Sequence, residues 1–242
     1  MWLFDNPENY AQMSKKISQS VCFASLFVIY ILSCVNEDFR IFVESISFGT
    51  KYEFGGIKLN LAMFYIPFLL GIVEHSLKLH NKAQALFKIR KLYDQKIIAK
   101  RIVQELGITG IKLDDKKTKK ILSIAFYKYA SSTNPQIDRH SINQALNGWC
   151  WFWIIFDVLL LHILLSVLYL VKYYSWKNLI VVGSVLIILI ILMAFILLEN
   201  KKISHQEIKE ILSDKARKNT IRKELEDALY PRRVYCRIGT SR

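Results

Sequence analysis

The chain has 242 residues, 52% of them apolar, and carries 34 Lys and Arg against 20 Asp and Glu, a formal net charge of +14. The apolar residues gather in long runs and the charges in the segments between them. That segregation excludes an ordinary soluble domain with one buried core and points to a bilayer, where uninterrupted apolar helix is favoured and charge is expelled.

The first apolar run, Ile17 to Val35, has 19 residues and no charge. About 20 helical residues cross ~30 Å of hydrocarbon. Lys15 and Lys16 precede the run as the n-region of a signal peptide would. Ile31-Leu32-Ser33-Cys34 is shaped like a lipoprotein cleavage box, but Leu32 is too large for its place, so a retained span is expected. A short external loop from Asn36 to Gly56 follows, with one extended segment expected near Ile41 to Phe48. The second run, Ile57 to Glu74, is weaker: Lys58 and Asn60 open it and Pro67 lies inside. It would cross with Lys58 snorkelling or with local bilayer thinning. Pro67 and Gly71 together favour a kink or a close helix approach.

From Glu74 to Leu106 there is neither Gly nor Pro. Leu79, Ala83, Leu86, Tyr93 and Ile97 form one stripe, Ile98, Ile102 and Leu106 a neighbouring one, and Gly107 a stop. The expectation is a single helix ~50 Å long at 1.5 Å per residue. Its stripe needs a second helix of the same chain or of a neighbouring subunit. A further helix is expected from Asp114 or Asp115 to Ala130, with acids at its start and Lys116, Lys117, Lys119 and Lys120 crowding its first turns. Ser131 to Pro135 reads as a loop. Asp138 or Ser141 then caps a helix that feeds into the third run, Trp149 to Val171, interrupted only by Asp157 and His162. The fourth run, Leu179 to Leu198, has 20 residues and no charge. In the tail, Ser204-His205-Gln206-Glu207 has capping-box spacing, Ile208, Ile211, Leu212, Leu225, Ala228 and Leu229 give an apolar face, and Tyr230-Pro231 ends it.

Residues 75–148 hold 15 Lys and Arg against 5 acids, and residues 199–242 hold 12 against 7. Lys and Arg mark the cytoplasmic side, so both termini and the central loop are expected inside. Trp149, Trp151 and Trp153 at one end of the third run, and Tyr173, Tyr174 and Trp176 at the other, suit headgroup depth. The expected fold class is all-α: a four-transmembrane-helix integral membrane protein with a basic α-helical cytoplasmic domain built from central loop and tail. Residues 1–76 hold spans of about 17–35 and 57–75, residues 77–148 the basic helical region, residues 149–198 spans of about 149–171 and 179–198, and residues 199–242 the basic tail.

Asp157 is the most informative side chain, an acid ~12 Å along the helix axis from Trp149. Intramembrane acids face a bundle interior or a wet cavity. Asp157, His162 and Glu74 are candidates either for a polar lining or for hydrogen-bonded packing. Asp157 and His162 lie about 140° apart around a helix and need not share a face. Glu74-His75 and His80 lack the HExxH pattern, and polar residues at a helix exit account for them. The four cysteines, Cys22, Cys34, Cys150 and Cys236, have no CxxC spacing. No metal and no cofactor is expected. Lys116, Lys117, Lys119, Lys120, Arg232 and Arg233 are candidates for binding lipid, nucleic acid or an acidic partner, beyond their topogenic role. GxxxxGK[ST], GxGxxG and GxSxG are absent, so no enzyme is expected.

In this arrangement of spans and basic loops the chain resembles the small multi-pass proteins of bacterial anti-phage systems. The resemblance implies an oligomeric inner-membrane effector or sensor, associated with membrane lipids and controlled by a cytoplasmic protein or ribonucleoprotein. The alternatives are a small channel or transporter subunit with Asp157 lining the path, and a non-conducting anchor.

Overall fold

The computed structural model describes residues 6–46, 51–54, 57–60, 62–108 and 115–229. Arg232, Arg233, Cys236 and the Tyr230-Pro231 stop lie outside the described residues, as do the side chains of Lys116 and Lys117. The described chain is overwhelmingly helical and divides into two compact units, residues 1–88 with 142–203, and residues 89–141 with 204–242.

The first unit begins with α1 (Tyr10–Val35), capped by Asn9, whose side chain accepts from Gln12 N at 2.9 Å. Asn36 ends α1 in an extended conformation and opens α2 (Glu37–Ile46), its Oδ1 accepting from Phe39 N at 3.0 Å. The extended segment expected near Ile41 is thus helical through Ile46. The physical reason is local: Asn36 caps, Glu37 and Asp38 suit the positive end of the helix dipole, and Phe39, Phe42 and Val43 fall on one buried face. Strand structure comes later, where β1 (Lys51–Phe54) and β2 (Ile57–Asn60) pair antiparallel, Phe54 opposite Ile57. The helix expected from Ile57 therefore begins only with α3 (Ala62–Leu77), which has Pro67 inside it. Its 16 residues make ~24 Å.

Beyond α3 the expected continuous helix is broken twice. Lys78 and Lys88 adopt left-handed conformations, with φ 47° and 53°, at the two ends of α4 (Leu79–Phe87). For a non-glycine residue that conformation costs about 1–2 kcal/mol, and neither break has the glycine that would mark it in sequence. α8 (Arg139–Lys172) and α9 (Trp176–Ser213) complete the unit. α1, α8 and α9 are each long and apolar enough to span a bilayer, whereas the apolar helix over Phe64–Leu77 is shorter. The chain is membrane-associated on that ground. Of the most apolar window of α9 only 11% is buried, against 44% in α1 and 39% in α8, so α9 gives most of its surface to an apolar surrounding.

The second unit continues from Lys88 through α5 (Ile89–Tyr93), a π-helical turn (Asp94–Ile98) and α6 (Ala99–Leu106), ended by Gly107 at φ 66°. α7 (Lys116–Tyr129) has Asp115 as its cap, accepting from Thr118 N at 3.1 Å. Asp138 Oδ1 accepts from His140 N at the start of α8. The capping box read at Ser204 does not form, because α9 runs unbroken through it; the Ser204 hydroxyl instead meets Tyr93 Oη at 3.1 Å. The real break is at Asp214, whose Oδ1 accepts from Ala216 N and Arg217 N to start α10 (Lys215–Leu229). Ile98, Ile102, Leu122, Ile208, Ile221 and Leu225 fill the interior. Of the stripe read along the expected long helix, Ala83 and Tyr93 are buried, but Leu86 is exposed.

Candidate functional site: a buried carboxyl–histidine cluster

Glu74 sits one turn from the end of α3. On a straight helix His80, six residues on, would project about 240° away from it. The left-handed turn at Lys78 redirects the chain and folds α4 back, so that His80 Nδ1 hydrogen-bonds Glu74 Oε1. Both side chains are wholly buried, at 0% exposure. Asp157, from α8 and 2% exposed, brings its carboxyl into hydrogen-bonding reach of Glu74. Among the described residues no donor reaches Glu74 Oε2 or either Asp157 oxygen. Two carboxylates in contact and shielded from water repel each other when both are ionised. The arrangement is that of a buried acid pair, with His80 bonded to one of its members.

On its other side the cluster leads outward. His80 Nε2 lies 3.4 Å from Tyr10 Oη, and the Tyr10 hydroxyl donates to Asn81 Oδ1. The Trp153 ring, buried on α8, stands 6.3 Å from the His80 ring. Phe87, Phe156 and Phe152 extend the aromatic wall around it. The result is a run of polar groups, Asp157, Glu74, His80, Tyr10 and Asn81, set in aromatic surroundings.

His162 does not join this run. It is buried on α8, and its Nε2 donates to Val182 O of α9 at 2.9 Å, with Ser166 Oγ at 3.5 Å. That bond ties α8 to α9. His162 also lines a small cavity with Ser25, Leu161 and Leu165, among other residues. At the far end of α1, Asn36 accepts from Tyr169 Oη at 3.1 Å and donates to Asn178 Oδ1 at 2.9 Å, while Asn178 donates to Asp38 at 3.2 Å. These contacts fasten α1, α2, α8 and α9, and give the structure its second buried polar centre.

The sequence singles out Asp157 and Glu74 separately and reads His80 as a residue at a helix exit. His80 is instead buried against Glu74. Tyr10 and Asn81 carry no sequence signal at all, since the contacts they make span 70 and 71 residues. Lys119 and Lys120 lie on α7, Lys120 exposed and Lys119 half-buried.

An Escherichia coli (strain K12) protein, "Uncharacterized protein YmfE", is similar to this chain: it is 26% identical over 165 residues, which cover 64% of this chain and 67% of that protein. No solved structure matches the chain. The model of the YmfE protein family matches residues 9–223, a segment that contains every residue of the carboxyl–histidine cluster and reaches into α10, and the chain belongs to that family.

Proposed function

We propose that the chain is a proton-responsive sensor or effector of the bacterial inner membrane, with the Glu74–His80–Asp157 cluster as its functional centre. One observation carries the reading: two buried carboxyls on different helices, α3 and α8, face each other with no donor among the described residues on three of their four oxygens. Loss of one proton there leaves two like charges facing each other, so that the contact between the two helices becomes a repulsion. A purely structural contact would be served as well by an amide, which needs no proton.

In this reading the bundle crosses the membrane four times with both ends inside, and the chain acts without catalysis. The trigger lies in the membrane-embedded cluster, whereas the anti-phage resemblance would put it in a cytoplasmic partner. The basic surface of the second unit serves downstream, toward anionic lipid, an acidic protein or a nucleic-acid-containing partner. The open apolar face of α9 suits a second copy of the chain as well as lipid.

Hydrogen–deuterium exchange in lipid nanodiscs tests the proposal. Amides of α3 and α4 should exchange faster at high pH than at low pH after correction for intrinsic rates. Asp157→Asn should abolish that difference while leaving exchange in α7 and α10 unchanged. A wild-type protein whose α3 protection does not depend on pH would sink the reading.

A further inference from the structure

We infer that the buried acid pair exchanges its proton with water along one route, through His80 and a Tyr10 hydroxyl oriented by Asn81, so that the first turn of α1 is the entrance to the site. The inference rests on the proton-responsive reading and names the ligand, a proton, and its path.

The direction of each hydrogen bond sets the path. The Tyr10 hydroxyl has one hydrogen and gives it to Asn81 Oδ1, which leaves its oxygen lone pairs to accept from His80 Nε2–H at 3.4 Å. One proton then lies between His80 Nδ1 and Glu74 Oε1. A proton leaving the pair passes from Glu74 Oε1 to His80 Nδ1 and makes the imidazolium. The imidazolium releases its Nε2 proton to the Tyr10 oxygen as the Tyr10 hydroxyl turns from Asn81 Oδ1 and gives its own proton to water, Asn81 orienting the hydroxyl and carrying no proton itself. The ring is left neutral with its hydrogen on Nδ1, and uptake runs the same steps in reverse. Charge and protons balance at each step, and no group beyond water is required.

Exposure fits the direction. Asp157, Glu74 and His80 are buried, Asn81 is half-buried, and Tyr10 is 46% exposed. The titratable side chains that reach the run come from every helix packed on it: Tyr10 of α1, Glu74 of α3, His80 of α4 and Asp157 of α8. His75, also on α3, is exposed. The cation that α1 buries, Lys16, is bonded to Asn147 Oδ1 at 3.0 Å and lies over the Trp151 ring. In the other direction along α8, Val158 and Leu159 are buried in an apolar cluster with Leu189, and His162 is turned toward α9.

The test is a pH jump on the full-length protein in nanodiscs, read by the tryptophan fluorescence component that Trp153→Phe removes. Trp153 reports because its ring stands 6.3 Å from the His80 ring, and loss of the proton leaves a charge on Glu74 beside that imidazole, which alters the field at the indole and so its emission. In wild type this component should follow the jump with a single midpoint. Tyr10→Phe, which keeps the ring and removes the hydroxyl, should slow the response by roughly tenfold and leave the midpoint in place. Asn81→Val should do the same and serves if the first variant fails to fold. Unchanged rates in both variants would overturn the route. A midpoint that moves when sodium replaces choline would overturn the proton as sole ligand. A fluorescence response with no accompanying change in α3 exchange would leave the route standing and reject the sensor function.

Discussion

Glu207 shows how one side chain sets a pH dependence in the second unit. It is 3% exposed, and burial, with a smaller contribution from Glu210, pushes its carboxyl up to about 8. Asp94 moves in the same direction, again by burial, against the opposing bond from Tyr127 Oη at 2.8 Å. A folded-state value above the unfolded one means that the folded chain holds the extra proton, so stability falls as pH rises. The loss runs from the ordinary glutamate range to about 8 and amounts to about 5 kcal/mol at most. Glu207→Gln should therefore raise the thermal midpoint of this unit at pH 8 and leave it nearly unchanged at pH 5. Scanning calorimetry at the two pH values measures this. The same variant, being outside the first unit, should leave the exchange behaviour of α3 as in wild type.

At the scale of elements, the pairing of α1 with α3 depends on Gly71. A Cβ there would lie 3.2 Å from Cys22 Cβ and 3.4 Å from Ser18 O, tighter than a helix interface accepts without movement. Gly71→Ala asks for a small adjustment. Gly71→Val adds two methyls against the α1 backbone and should lower the thermal midpoint in detergent with a cost of about 1–3 kcal/mol. A midpoint equal to wild type in Gly71→Val would mean that α1 and α3 are not packed at this point. How elements are legible in sequence differs by type. α1, α8 and α9 are plain from composition, because an apolar run of lipid-crossing length with at most one acid has little place in a water-soluble fold. The caps at Asp115 and Asp138 are plain too, since a short acid before a helix has a local role. The breaks at Lys78 and Lys88 are not. Lysine has no preference for left-handed backbone, and the turn at Lys78 goes with a side-chain contact that no local pattern announces, the Glu74–His80 bond. Ser204 misleads for the converse reason: a correct capping pattern is overridden when the helix before it continues.

At the scale of the whole molecule, the charge asymmetry argues for both ends and the second unit on the cytoplasmic side. Reporter fusions at Lys119 and after Arg242 should read cytoplasmic, and one at Thr50 should read external. A cytoplasmic reading at Thr50 would turn α3 into a segment that dips and returns, with three spans in all. The site is half legible at this scale. Asp157 stands out as an acid in an apolar run, but the partners that give it meaning come from α3, α4 and α1, which only the folded chain gathers.

The length of α3 has a consequence of another sort. At ~24 Å it is shorter than the hydrocarbon layer of an average bilayer, and mismatch costs a fraction of a kcal/mol for each ångström. On the four-span reading proposed above, the helix that carries Glu74 is the one most sensitive to acyl-chain length and to whatever changes it, such as growth temperature or lipid supply. The acid pair then becomes a point where two signals meet. On that reading acidity acts on its protons and lipid chains act on the helix that holds it, so the membrane's own composition sets how readily the pair responds.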